Sequence, residues 1–411
     1  MKKLLALLLS CSLLLCLLAG CGGNDPAPAP EGEGEEAGQT ETNPPSGDVI
    51  RIGVFEPSSG ENGAGGKQEI LGMKYANSIV PTVEIDGKEY TIELVYADNA
   101  SANDKATTAA QTLVSQGVSV VLGSYGSGVS IAASPTFAEA GIPAIGVTCT
   151  NPQVTEGNTH YFRICFLDPF QGTVQATFAK DQFEAKTAYT LAELGNDYDV
   201  GLATYFQKAF EEAGGTVIPE TFPKGTADFT AYLNNAKTAG ADVIFAPCSI
   251  SYATQIIDQA ASQGLDMPLM AGDTWDNNKV VEAAQGKNIE IYVSTFYQEG
   301  GDEAFDTGFK AFLNADSNNL SENGNNDMIS AVSAMGYDAY MVAIEAIKAA
   351  NSADPQAINE ALWAVTYTGV SGDIAFDDIG DAIRDVAYIK TVNTEESIWD
   401  FVTVQSVPSA N

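Results

Sequence analysis

Residues 118–148 read VSVVLGSYGSGVSIAASPTFAEAGIPAIGVT. The apolar run VSVVLGS has the length and composition of a buried strand, SGVSIAASPTFAEAG reads as a helix, and IPAIGVT is a second apolar strand. Strand, helix and strand within about thirty residues are the repeating unit of a parallel sheet covered by helices. The turn into the helix holds Gly123, Ser124, Gly126, Ser127 and Gly128, small enough for a ligand to touch the backbone. A helix N-terminus with free N–H groups and hydroxyls beside it is a ready anion site. The anion is either a phosphate or a carboxylate, and the remaining sequence has to separate the two.

The alternation extends in both directions. VIRIGVFEP (49–57) and TIELVYADN (91–99) are strands, QEILGMKYANSIV (68–80) and DKATTAAQTLVSQG (104–117) helices, the second closed by Gly117. The rhythm pauses around HYFRICFLDPFQG (160–172). It restarts with KTAYTLAEL, GLATYFQKAFEEAGG, TVIPETF, DFTAYLNNAKTAG, ADVIFAPCS, SYATQIIDQAASQG, MPLMAGD and IEIYVSTFY, which together span 186–297. Two helices, FDTGFKAFLNAD and MISAVSAMGYDAYMVAIEAIKAA, and the short strand patterns GDIAFDDIGD and DVAYIKTV close the chain. The expected fold class is therefore α/β, with two doubly wound parallel-sheet lobes. Ligands of such sheets bind outside the C-terminal strand ends. The loops to inspect are EPSSGENGAGG, ADNASAND, GSYGSG, VTCTNP, LGNDYD, PCSISY and GDTWDN.

Phosphate fails in these loops. SSGENGAGGKQ places Gly66-Lys67 after several glycines, yet Glu61 stands where the first glycine of a phosphate loop belongs and Gln68 replaces the magnesium-holding hydroxyl. No G-x-G-x-x-G opens a helix with an acid about twenty residues on. A formal net charge of -35 excludes a nucleic-acid partner. Catalysis also lacks its parts: His160 is the chain's single histidine, and no G-x-S-x-G elbow is present. Cys149, Cys165 and Cys248 have no metal spacing and read as small buried apolar residues. No metal, cofactor or enzymatic role is expected.

The N-terminus gives an address. Lys2 and Lys3 precede LLALLLSCSLLLCLLAG, too short for a membrane span and flanked like a secretory signal. Its end, Leu18-Ala19-Gly20-Cys21, resembles the lipobox of bacterial lipoproteins, which implies removal of residues 1–20 and a lipid on Cys21. Residues 21–47 are rich in Pro, Gly, Glu and Thr, without large apolar residues, and read as a disordered tether. The expected location is outside the cytoplasm, held to the membrane by lipid alone.

A zwitterion suits the remaining loops. GSYGSG and VTCTNP offer hydroxyls and backbone N–H groups to a carboxylate, and GDTWDN offers Asp273 to an ammonium; charge-assisted bonds of this kind are worth roughly 1.5–3 kcal/mol each. At these loops the chain resembles the leucine/isoleucine/valine-binding proteins, the type I solute-binding proteins of ABC importers. The resemblance rests on YADNASANDKATTAAQTLVSQGVSVVLG, AEAGIPAIGVTCTNPQVT and GDIAFDDIGD in this order, and covers nearly the whole mature chain. It implies a three-crossing hinge, with one lobe of residues 48–167 plus 297–366, a second of 168–296 plus 367–407, and a ligand cleft between them. It places the carboxylate on Ser127, with Tyr125 and Gly126 beside it and Thr148 and Thr150 in support, and brings Tyr198 and Asp273 from the second lobe. Asp273 stands where relatives carry the longer glutamate.

Two positions depart from the family pattern. Gly65 and Ser249 fall where aromatic walls are expected, which enlarges the side-chain pocket or makes it more polar. Tyr252 is a substitute for the second wall, and Trp275 a partial closure. The reading is a monomeric, lipid-anchored substrate-binding protein of an ABC importer, for a branched-chain-like amino acid or a larger, more polar relative, with permease subunits as partners. The alternative is a ligand-sensing module of the same fold acting through a membrane partner.

Overall fold

The structure, a computed structural model, describes residues 48–406; the signal-like segment, Cys21 and the tether lie outside the described residues. The chain starts with β1 (Val49–Glu56), α1 (Gly63–Ile79), the hairpin β2 (Thr82–Ile85) and β3 (Lys88–Asp98), α2 (Asn103–Ser115), β4 (Val120–Leu122), α3 (Ser127–Glu139), β5 (Ala144–Gly146) and β6 (Tyr161–Arg163). These strands form one sheet in the order β2-β3-β1-β4-β5-β6, in which only the edge strand β2 runs antiparallel.

The chain then crosses to α4 (Asp168–Phe183), β7 (Thr187–Glu193), α5 (Asp197–Glu212), β8 (Thr216–Phe222), α6 (Thr230–Thr238), β9 (Val243–Phe245), α7 (Ile250–Ser262), β10 (Leu269–Ala271), α8 (Asn278–Ala284) and β11 (Ile291–Thr295). It returns for α9 (Glu303–Ala315), α10 (Ser317–Glu322), α11 (Ala331–Ala350), α12 (Pro355–Leu362) and the ribbon β12 (Thr366–Gly369) and β13 (Gly372–Ala375). A last crossing leads into β14 (Val386–Asn393) and β15 (Ile398–Ser406). The second sheet has the order β15-β14-β11-β10-β9-β7-β8, with β14 and β15 antiparallel and the rest parallel. Two mostly parallel sheets with three crossings agree with the expected fold class.

The central strands are short and wholly buried, as Val120–Leu122 and Val243–Phe245 show, because helices cover both faces. α11 is apolar nearly all round and is buried along its length against α1. The pause around residues 160–172 contains β6 and the start of α4. Sequence reasoning missed α4 because Gln171 and Gln175, both fully buried, interrupt its apolar face.

One boundary differs from the expected one. Residues 367–384 lie against the first sheet: Phe376 packs edge-on against Phe162, and Asp338 of α11 accepts the N–H groups of Val370 and Ser371. The third crossing therefore follows Arg384, whose guanidinium donates to the Ile164 and Ser371 carbonyls.

Arg163, at the end of β6, fixes the neighbouring loop. Its side chain is fully buried and paired with Asp381, and Nη1 donates to the Cys149 and Asn151 carbonyls at 3.0 and 2.5 Å. The loop carrying Thr148 and Thr150 thus hangs on one guanidinium. Cys149, Cys165 and Cys248 are buried free thiols, and burial pushes the Cys149 thiol up to about 11. His160 is half-buried just before β6.

Candidate functional site

A cavity of about 260 Å³ lies where loops of the two sheets face each other. The first side contributes Glu61, Asn62, Tyr125, Gly126, Ser127 and Gly128; the second contributes Glu193, Asp197, Tyr198, Asp199, Lys224, Ser249 and Thr274. Asn62 already spans it, donating to the Ser249 hydroxyl at 3.2 Å and accepting the Ile250 N–H at 3.0 Å.

The GSYGSG loop delivers its helix N-terminus to this cavity. Ser127 opens α3, and the cap position Gly126 supplies no side-chain bond, so the first-turn N–H groups keep their donor capacity. The Ser127 hydroxyl accepts the Asn151 N–H at 3.2 Å and can still donate its proton. Thr148 and Thr150 are buried behind this wall and do not line the cavity. Thr148 donates to Glu69, while the Thr150 hydroxyl has no partner among the described residues.

Asp273 is also set back. One carboxylate oxygen accepts Gln171 Nε2 at 2.9 Å and the Tyr198 hydroxyl at 3.0 Å, and only Tyr198 and Thr274 reach the cavity from this corner. Gln171 escaped the sequence reading because it lies on the unrecognised helix α4. Its Nε2 also reaches the Ser294 hydroxyl at 3.0 Å, tying α4 to β11 behind the acid.

The side-chain pocket differs from the one expected. Gly65 does not leave a void, because the Tyr125 ring rests on it; a Cβ there would lie 2.4 Å from the ring. Tyr125 donates to the Thr274 carbonyl at 2.9 Å, joining the lobes, and packs with Ile250, Val332 and Ala64. Trp275 closes no part of the cavity: it is fully buried in the second core, its Nε1–H donating to the Cys248 carbonyl at 2.9 Å. Tyr252 packs against Phe222 and sends its hydroxyl to Glu61 at 3.2 Å, so it touches an acid of the cavity without lining it.

Beneath the cavity is an acidic floor that the loops did not reveal. Glu56 ends β1 and Glu69 lies on α1; burial and then the Glu69 charge hold the Glu56 carboxyl well above the usual range. Burial raises Glu69 to about 8, Asp168 to about 7 and Asp273 to about 6. Nearby, Asp276 pairs with the buried Lys390 at 3.0 Å and accepts the Thr295 hydroxyl at 2.6 Å. For each raised acid the folded state keeps a proton that the unfolded chain releases near pH 4. That stability is present in full below the unfolded pKa and is lost as pH climbs through about 6, 7 and 8. The melting temperature is accordingly expected to fall between pH 5 and pH 8.5 in scanning calorimetry; a rise over this interval would contradict the buried protons.

Three comparisons bear on this arrangement. The Leu/Ile/Val-binding protein homolog 1 of Brucella abortus is 30% identical over 338 residues, 81% of this chain and 87% of that protein. The crystal structure of a leucine-binding protein from Thermotoga maritima superposes with a TM-score of 0.77 at 30% identity, over 87% of this chain and 99% of the other. A branched-chain amino acid transporter substrate-binding protein from Streptococcus pneumoniae, solved with isoleucine, gives 0.74 at 27% identity, over 87% and 99%. The family described as periplasmic binding protein matches residues 49–395. The two-sheet fold, the interlobe cavity and these matches agree, and the chain belongs to the periplasmic binding protein family, as a binding protein and not an enzyme.

Proposed function

We propose that this protein captures an amino acid outside the cytoplasm and delivers it to an ABC importer. The single observation that carries the reading is the uncapped N-terminus of α3, with the Ser127 hydroxyl, facing a cavity whose far wall is Tyr198 and Thr274. A carboxylate docks on the α3 N–H groups and Ser127, with Thr150 Oγ1 as a buried reserve donor. The α-ammonium is received through Tyr198 and Asp273 once the ligand displaces part of their bond to each other. Each pole is held by a different lobe, so ligand binding and hinge closure are one event. The lobes are taken as residues 48–167 plus 297–384 and 168–296 plus 385–406. Residues 1–20 act as a signal and Cys21 carries the lipid, a reading supported by Leu18-Ala19-Gly20-Cys21. The relatives named above, one of them solved with isoleucine, support an amino acid as the cargo.

Thermal shift against the proteinogenic amino acids tests this. A ligand at a hundred times its Kd adds about 2.7 kcal/mol to stability and a visible rise in Tm. Ser127→Ala and Asp273→Ala are expected to remove most of the shift given by the best ligand. If no amino acid raises Tm, or if both variants respond like the parent, the reading fails.

A further inference from the structure

We infer that Glu61, Glu193 and Asp199 form a receiving site for the cationic end of a ligand side chain, which makes the preferred cargo an amino acid bearing an amine or guanidinium. The inference rests on the amino-acid reading above and narrows it. All three acids line the cavity, Glu61 from the loop after β1 and the other two from the end of β7 and the first turn of α5. Asp199 is the decisive member. Its side chain is fully buried, Oδ2 accepts the Glu193 N–H at 2.9 Å, and Oδ1 has no partner among the described residues. Burial, then the neighbouring Glu193 and Glu61 charges, hold the Asp199 carboxyl well above the usual range, so this corner of the cavity lacks the cation that would offset its desolvation.

Charge and shape point the same way. Among the described residues, the one basic residue lining the cavity is Lys224, which stands 3.7 Å from Glu61 with its side chain 64% exposed. So loose a contact is readily exchanged for a better-placed cation. Meanwhile the apolar direction is closed: Tyr125 fills the space over Gly65 and packs against Ile250 and Val332. Ser249, at the start of α7, adds a hydroxyl where an aliphatic side chain gains nothing. A branched aliphatic ligand would strip water from the part-exposed Glu61 and return no donor to the buried Glu193 and Asp199 beside it. A guanidinium supplies five N–H donors in a planar fork and suits several carboxylates at once.

Isothermal titration of the protein with arginine, lysine, ornithine, leucine and isoleucine decides the matter, alongside Glu61→Gln, Glu193→Gln and Asp199→Asn. Expected is binding of at least one cationic amino acid, weakened about tenfold or more by Glu61→Gln and by Asp199→Asn. Because Asp199 also holds the Glu193 N–H, Glu61→Gln and Glu193→Gln keep the test independent of that loop's folding. Binding of leucine or isoleucine with no response to the cationic amino acids overturns this inference and leaves the amino-acid reading intact. Silence from all five, in a protein that also fails the full amino-acid screen, overturns both. Cationic ligands whose affinity is unchanged in all three variants also refute the assignment.

Discussion

Arg163→Met is expected to cost about 3–5 kcal/mol of folding stability, because it leaves the buried Asp381 without its partner. The pair is not an isolated contact. The same guanidinium holds the carbonyls of Cys149 and Asn151, and the Thr155 hydroxyl donates to Asp381 Oδ1 at 2.8 Å. The chain segments joined are the loop after β5, the end of β6 and the stretch leading to the third crossing. Lysine would not rescue the site, since one ammonium cannot reach both carbonyls and both carboxylate oxygens. Removing both charges is different: Arg163→Met with Asp381→Leu should recover part of the loss, because the unpaired buried charge is gone. Urea denaturation measures this through the midpoint at constant slope. A single variant within 1 kcal/mol of the parent would mean that the pair is solvated and the loop is held by something else. Ligand affinity should fall with the single variant as well, because Thr150 lies between the two anchored carbonyls and Thr148 directly before them.

What the sequence disclosed follows from which interactions are local. Strand–helix alternation, the glycine and serine turn before α3 and the placement of loops at strand ends are read from neighbours in the chain, and these agree with the structure. Ser127, Gly126, Tyr125 and Tyr198, all named in the sequence reading, line one cavity. The misses are long-range. Tyr125 fills the space left by Gly65 although sixty residues separate them, and only the packed structure shows that a small residue in one loop makes room for a ring from another. Trp275 neighbours Asp273 in sequence, yet its ring turns into the core, because a large apolar surface with one N–H is better placed beside the Cys248 carbonyl than in a wet cleft. α4 was hidden by its buried glutamines, whose partners Asp273 and the Ala271 carbonyl lie about a hundred residues away. Glu61, Glu193 and Asp199 are scattered among 54 acidic residues, and nothing in their spacing marks three that share a cavity.

Gly72→Ala should destabilise the protein by about 1–3 kcal/mol, against the intuition that alanine improves a helix. Gly72 is interior to α1, where alanine normally gains close to 1 kcal/mol over glycine. Here a Cβ would sit 1.9 Å from the Ser333 carbonyl oxygen and 2.9 Å from the Tyr337 nitrogen, both backbone atoms of α11. No side chain can swing aside, so one helix has to move. The contact is reciprocal, since a Cβ on Gly336 would lie 2.2 Å from the Glu69 carbonyl oxygen. Together the two glycines set how closely α1 and α11 approach, and steric overlap outweighs the propensity gain. The effect reaches the site because α1 carries Gly65, under the Tyr125 ring, and Gln68, whose Oε1 accepts Asn277 Nδ2 from the second lobe at 2.6 Å. Pushing α1 outward unseats the Tyr125 ring, which bonds to Thr274, and the Gln68–Asn277 bond, two of the contacts that tie the lobes together, so the variant should bind its ligand more weakly as well as unfold at lower urea. Gly336→Ala should behave alike, and the pair should lose less than the sum, since one displacement of α1 relieves both overlaps. A Gly72→Ala protein more stable than its parent would show that the helices part without cost, and the close crossing would then have no hold on the cleft.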